Sequence, residues 1–160
     1  MCLQVFLYKS YAQLNLVPNP SFEVVDTCPT GLSQLHHAPP WNTPMNTTPD
    51  LHNSCSNGIS FTVGVPQNLH GYQFARTGNG YAGIGSYIMN GTTSGNGREY
   101  IQAKLLDTLV AGTEYFVQFF VSPGDSCRWV TNNIGLYFSP EEIDTVIFPF
   151  NPLPFQPQIE

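Results

Sequence analysis

Charged residues are scarce in this chain of 160 residues. They make up 10% of it, and lysine and arginine together number only five. An average soluble domain has about 25% charged residues. Five basic side chains are too few to follow a phosphate backbone, which argues against a nucleic-acid-binding protein. No run approaches about 18 consecutive apolar residues, so the sequence predicts no membrane-spanning segment.

Long helical stretches are also missing, because 14 glycines and 14 prolines interrupt the chain too often. Hydrophobic residues nevertheless make up 41% and aromatic residues 13%, enough for the buried core of one domain. Short segments with strand character, separated by turns, predict an all-β sandwich or barrel. The predicted strands are 14–25, 59–63, 70–75, 80–89, 98–106, 114–121 and 133–139.

Both ends of the chain suggest an incomplete domain. Residues 2–8 are apolar, and Ser10 and Ala12 stand at positions −3 and −1 of a small-x-small cleavage site. We therefore interpret residues 1–12 as the remnant of a secretory signal peptide and residues 13–160 as one domain. Apolar side chains continue through 145–160 to the terminus, which predicts that one or more closing strands are missing.

Cysteine placement fits an extracellular protein. Cys28 and Cys55 bracket a segment, residues 26–58, that is rich in proline, threonine, asparagine and serine and is predicted to be a loop. A bridge between them would close about 28 residues and stabilise the fold by roughly 3 kcal/mol. Three thiols allow other pairings, but this is the pair that we expect, with Cys127 buried or free.

Signatures of catalysis and of zinc binding are absent. The chain has no G-x-S-x-G motif, and its eleven acidic residues are scattered. No C-x-x-C motif or Cys/His pair occurs at ligand spacing, which argues against zinc. The adjacent His36 and His37 would point to opposite faces of a strand, while His52 and His70 look isolated. We interpret all four histidines as structural and the protein as not an enzyme.

Aromatic side chains, accompanied by asparagine, threonine and glutamine, suggest a different role. Sugars stack the apolar faces of their rings on aromatic side chains, while amides and hydroxyls orient the sugar hydroxyl groups. The alternative is that each aromatic residue anchors a core or a loop. The candidate sugar-binding residues are Trp41, Tyr72, Tyr81, Tyr87 and Trp129.

Two segments carry a resemblance to a known family. Residues 15–23 (NLVPNPSFE) and 109–119 (LVAGTEYFVQF) resemble the first-strand motif and a later turn-and-strand motif of galactose-binding-like jelly-roll modules, including carbohydrate-binding modules. Further motifs, among them 64–68 (GVPQN), 80–84 (GYAGI) and 98–102 (REYIQ), make residues 15–160 similar to a domain of secreted and OmpA-associated outer-membrane proteins of Bacteroidota. The resemblance implies a jelly-roll β-sandwich, truncated at its C-terminal end.

The same resemblance implies a function. It suggests a non-catalytic, carbohydrate-binding module that is secreted or associated with the outer membrane, monomeric within a larger protein. Glu23 matches the residue that helps to hold a structural calcium ion in related modules, although calcium needs about six oxygen ligands. The alternative is a structural or adhesion domain of a cell-surface protein, without a sugar ligand.

Overall fold

The computed structural model describes residues 14–87, 97–132, 134–144 and 152–159. The signal-peptide interpretation of residues 1–12, and residues 145–151 of the apolar segment 145–160, therefore lie outside the described residues. Within them, the helical structure consists of two 3-10 turns. The strands are β1 (Asp50–Asn53), β2 (Gln67–Asn68), β3 (Gly71–Tyr72) and β4 (Gly80–Gly83), and the 3-10 turns span Leu35–His37 and Ser54–Ser56.

Two antiparallel pairs organise these strands. β1 pairs with β4, so that Asp50 lies opposite Gly83 and His52 opposite Tyr81. β2 pairs with β3, and two isolated bridges join Asn42 to Gln102 and Leu136 to Ile159. The regular structure of the described residues is thus mostly β, as the sequence predicted. The jelly-roll sandwich stays a prediction.

The strand predictions succeed only in part. β4 begins where the strand over 80–89 was predicted, and β3 falls within 70–75. The prediction that 26–58 is a loop is wrong at β1. The composition of that segment did not predict a strand, because only one of the four β1 residues is aliphatic. The strand forms because its backbone pairs with that of β4.

The segment 114–121, predicted as a strand in the middle of a sheet, has no strand assignment, so that prediction is wrong. Phe116 is 78% exposed, and Phe119, Phe120 and Val121 are also exposed. Alternation of side chains describes the faces of a strand, but a strand also needs a neighbouring backbone to pair with. The predicted strands at 14–25 and 59–63 likewise have no strand assignment.

A disulfide bond lies beside the buried residues Pro29 and Ser56. Cys28 and Cys55 are bonded, with their Cα atoms 5.9 Å apart, which confirms the predicted pair. Beside the bridge, the Ser56 hydroxyl donates to the Pro29 carbonyl at 2.6 Å, so this polar core group is satisfied. Cys127 is free and exposed. The buried hydrophobic side chains are Leu35, Ala38, Met45, Leu51, Val63 and Val65.

A buried carboxylate connects three distant segments. Glu99 is buried, and one of its oxygens accepts hydrogen bonds from the Thr48 N–H at 3.0 Å and the Thr48 hydroxyl at 2.9 Å. Its other oxygen accepts from the Gly85 N–H at 2.7 Å. Charge-assisted hydrogen bonds of this kind are the strong ones in proteins.

Replacing Glu99 by glutamine is expected to lower the free energy of unfolding by about 2 kcal/mol. The amide can present oxygen to only one side, so its NH2 group must face a buried N–H donor. Urea denaturation measures the loss. The matched control is Glu114→Gln at an exposed position, expected to change stability by less than about 0.5 kcal/mol. Equal effects of the two substitutions would contradict this role of Glu99.

Candidate functional site

Strand β1 presents two polar side chains on one face. Asp50 and His52 are two residues apart, and side chains at that spacing share a face of a strand. The His52 ring stacks on the ring of its cross-strand partner Tyr81, with centroids 4.9 Å apart. A Cβ atom at Gly83 would lie 2.9 Å from His52 Nε2. The glycine therefore leaves the space that the imidazole needs.

His70 joins this face from the turn between β2 and β3. Its Nε2 lies 3.5 Å from the Asp50 carboxylate oxygen Oδ2. Its ring meets the His52 ring edge-on, with centroids 5.6 Å apart. One donor atom each from Asp50, His52 and His70 lies within 4.8 Å of the other two. We call these three residues the histidine–aspartate cluster.

Hydrogen bonds from neighbouring loops position the cluster. The Ser33 N–H donates to Asp50 Oδ1 at 2.6 Å, which leaves Oδ2 directed to His70. Asn68 on β2 accepts from the His70 N–H at 2.9 Å through its side-chain oxygen. The Asn68 side-chain amide donates to the Tyr81 hydroxyl at 2.7 Å. One asparagine thus links the backbone of His70 to the ring that covers His52.

Burial shifts the pKa values of two residues of the cluster and of the neighbouring Tyr81. His52 is only 2% exposed, and burial, with a smaller contribution from His70, lowers the pKa of His52 to about 4. Burial also raises the pKa of Asp50, and the nearby Glu99 carboxylate adds to that rise. Burial raises the pKa of Tyr81 as well. His52 is therefore neutral at pH 7, with a ring nitrogen whose lone pair is available.

One atom of the cluster lacks a partner. His52 Nδ1 is buried and has no hydrogen-bond partner among the described residues. A buried polar atom without a partner costs about 1–3 kcal/mol. Neither the stacking on Tyr81 nor the edge contact with His70 supplies a hydrogen bond to this nitrogen.

The sequence did not predict this cluster. His52 and His70 looked isolated along the chain, and the absence of a Cys/His pair at ligand spacing argued against zinc. The local signal was the Asp50-Leu51-His52 triplet, whose alternation places a carboxylate and an imidazole on one strand face. The approach of His70 depends on the β2–β3 turn and could not be predicted from spacing along the chain.

Two of the five predicted sugar-binding aromatics are engaged within the fold. The Trp41 indole N–H donates to the Asn19 carbonyl at 2.9 Å, and its ring packs against Phe22 at a centroid distance of 5.1 Å. Tyr81 stacks on His52 and hydrogen-bonds Asn68 through its hydroxyl. Both side chains are half-buried and anchor neighbouring segments.

The other three predicted aromatics face solvent. Tyr72 is 55% exposed, Tyr87 is exposed to a similar degree, and Trp129 is 73% exposed. Tyr72 forms an edge-on pair with Phe74, with centroids 5.5 Å apart, and Phe74 was not among the predicted residues. The guanidinium carbon of Arg128 lies 5.8 Å from the centroid of the Trp129 ring.

Glu23, the predicted calcium ligand, holds a turn. One carboxylate oxygen accepts from the Asn79 and Gly80 N–H groups at 2.7 and 3.0 Å, and the other accepts from the Asn79 side-chain amide at 3.0 Å. The carboxylate therefore fixes the start of β4, next to Tyr81. A calcium role for Glu23 stays a prediction.

Comparisons of the chain with protein-family models, with curated proteins and with solved structures found no match. The resemblance to galactose-binding-like modules therefore rests on the sequence motifs alone. Among the residues that the structure describes, no helix is long and apolar enough to span a membrane.

Proposed function

We propose that this protein is a non-catalytic extracellular module that binds carbohydrate. The observation that supports the proposal best is the exposed pair of Tyr72 and Phe74, which we call the aromatic edge. Both rings are more than half exposed and stand nearly perpendicular, at 89°. Aromatic rings held at a surface offer large, rigid contact areas at low entropic cost.

The backbone beneath the aromatic edge is held in place by neighbouring segments. The Tyr72 N–H donates to the Asp125 carboxylate at 2.8 Å. At Gly71, φ is +130°, and a Cβ atom there would lie 2.5 Å from the Asp125 Cβ. Only glycine suits this conformation and this close approach. The aromatic edge is thereby fixed against the 124–127 loop before any ligand binds, which reduces the entropic cost of binding.

Polar side chains lie on, or hydrogen-bond to, the segment that carries the two rings. The Ser122 hydroxyl donates to the Gln73 side-chain carbonyl at 2.7 Å, and the Asp125 carboxylate lies at the Tyr72 backbone. Together these provide an amide, a hydroxyl and a carboxylate beside an apolar surface. This is the combination that a sugar ring requires, since one of its faces is apolar and its rim is hydroxylated.

Charge narrows the class of sugar. The chain has a formal net charge of −6 and only five lysines and arginines, so an acidic glycan would meet repulsion. We therefore expect a neutral polysaccharide. The Cys28–Cys55 disulfide is compatible with an oxidising, extracellular compartment, where such a ligand occurs, and secretion or association with an outer membrane is part of the proposal.

A glycan array and a polysaccharide pull-down, with and without calcium, test the proposal. We expect binding of a neutral glycan, weakened about tenfold, or about 1.4 kcal/mol, by Tyr72→Ala or Phe74→Ala. The matched control is Phe116→Ala, which removes a still more exposed ring from another segment. Tyr87→Ala and Trp129→Ala show whether the binding face extends to the other exposed aromatics.

A folded protein that binds no glycan would refute the carbohydrate proposal. Association with a cell-surface protein in that case would favour the structural or adhesion domain. Glycan binding that requires calcium and is abolished by Glu23→Gln would support the calcium role inferred from the resemblance. Equal losses from Phe116→Ala and Tyr72→Ala would place the binding face elsewhere.

A further inference from the structure

We propose that Asp50, His52 and His70 form a binding site for a divalent transition-metal ion of the Zn²⁺ type. The proposal is independent of carbohydrate binding and involves different side chains from the aromatic edge. It rests on the geometry of the histidine–aspartate cluster, on the chemistry of its donors, and on a buried ring nitrogen without a partner.

The donor spacing suits one small ion. Two ligands of a tetrahedral ion with bonds of about 2.0–2.2 Å lie about 3.4 Å apart. His70 Nε2 and Asp50 Oδ2 lie 3.5 Å apart, and donors of all three residues lie within 4.8 Å of one another. Small side-chain rotations would bring the longest of these separations to the ligand spacing.

The kinds of donor select the kind of ion. Two imidazoles and one carboxylate suit zinc and its neighbours in the first transition series, which bind nitrogen well. Calcium and magnesium require mainly oxygen ligands, about six or more for calcium, and this cluster has a single carboxylate. Three protein ligands leave a fourth coordination position for water.

The side chains of the cluster have hydrogen-bonding and packing partners of the kind that position metal ligands in proteins. Asp50 receives a hydrogen bond from the Ser33 N–H on the oxygen that does not face His70. Tyr81 fixes the His52 ring by stacking. Partners of this kind hold the ligand side chains in a fixed orientation before an ion binds.

A purely structural role explains the cluster less well. An ion pair between Asp50 and His70 would account for their 3.5 Å contact. It would leave His52 buried with Nδ1 unpartnered, which a stable core avoids. Coordination of an ion through Nδ1 supplies the partner that this nitrogen lacks among the described residues.

Isothermal titration of the protein with ZnCl₂, after dialysis against a chelator, tests the proposal. A Cys2→Ser/Cys127→Ser background removes the two thiols outside the disulfide, because a thiolate could bind zinc itself. We expect one ion per chain. CoCl₂ should give the visible absorption of a tetrahedral Co²⁺ site, and CaCl₂ should not compete.

Three variants in that background locate the site. His70→Ala is expected to weaken Zn²⁺ binding at least about 30-fold, since loss of even an outer partner of a ligand costs about 10- to 100-fold. Asp50→Asn keeps the acceptor for the Ser33 N–H and should also weaken binding. His36→Ala is the control, because His36 is exposed and is not one of the three clustered residues.

Circular dichroism confirms that each variant is folded before titration. The proposal is overturned if the folded background protein binds neither Zn²⁺ nor Co²⁺. It is also overturned if His70→Ala and Asp50→Asn both retain full affinity, or if His36→Ala causes the same loss. All titrations are done without sugar, so failure of the carbohydrate proposal leaves this result unaffected.

Discussion

Reduction of the Cys28–Cys55 disulfide is expected to lower the free energy of unfolding by about 3–4 kcal/mol. The bridge joins cysteines 27 positions apart, and the loop it closes contains the buried side chains of Leu35, Met45 and Leu51. Without the bridge, the two ends of this loop can move apart in the unfolded chain, which raises the entropy of the unfolded state. A loss of this size is a large fraction of the stability of a typical domain.

Urea denaturation of oxidised and reduced protein measures this loss, and a Cys28→Ser/Cys55→Ser variant repeats it without a reductant. Cys127→Ser is the matched control, because that thiol is free and exposed, and we expect it to change stability by less than about 0.5 kcal/mol. Equal unfolding midpoints for the oxidised and reduced forms would show that the bridge does not constrain the unfolded chain.

Acidification of the metal-free protein is expected to destabilise it by up to about 3 kcal/mol through His52. Burial lowers the pKa of His52 in the folded protein from 6.5 to about 4. Above about pH 6.5, His52 is neutral in both the folded and the unfolded state, so its contribution to the free energy of unfolding is constant. As the pH falls from 6.5 to about 4, the unfolded chain takes up a proton that the folded chain excludes, and stability declines. Below about pH 4 this contribution levels off.

Protonation of Asp50 changes the free energy of unfolding in the opposite direction. Its pKa is raised in the folded protein, so the folded state binds that proton more readily, and this offsets part of the His52 loss at the acid end. Urea unfolding midpoints between pH 4 and 7.5, measured with a chelator, give the net slope. His52→Gln should flatten the profile, whereas His36→Ala should leave it unchanged. A wild-type profile as flat as that of His52→Gln would contradict the prediction.

Composition and local pattern sufficed for several conclusions. Frequent glycine and proline, few charges and abundant aromatics predicted a mostly β chain, and regular structure among the described residues agrees. The loop bracketed by Cys28 and Cys55 predicted the disulfide that the structure contains. Strand character at 80–89 predicted β4. The first and third of these conclusions depend on composition and on neighbouring residues, whereas the disulfide was inferred from the segment that its two cysteines bracket.

Other features could not be predicted locally. β1 lies in a segment whose composition indicated a loop, because its strand conformation depends on backbone pairing with β4. Conversely, 114–121 alternates like a strand but has no strand assignment. Trp41 looked like a sugar-stacking residue, yet only the structure revealed that its indole N–H is bonded to the Asn19 carbonyl.

The sequence by itself predicted a mostly β chain and the Cys28–Cys55 disulfide, and it established the shortage of charge on which the proposal of a neutral ligand depends. The tertiary structure decided which side chains meet. It brought His70 to Asp50 and His52, held the Tyr72 backbone against Asp125, and engaged the Glu23 carboxylate at the start of β4. Contacts between residues far apart in the chain depend on how strands and turns pack, and that information is absent from any single segment.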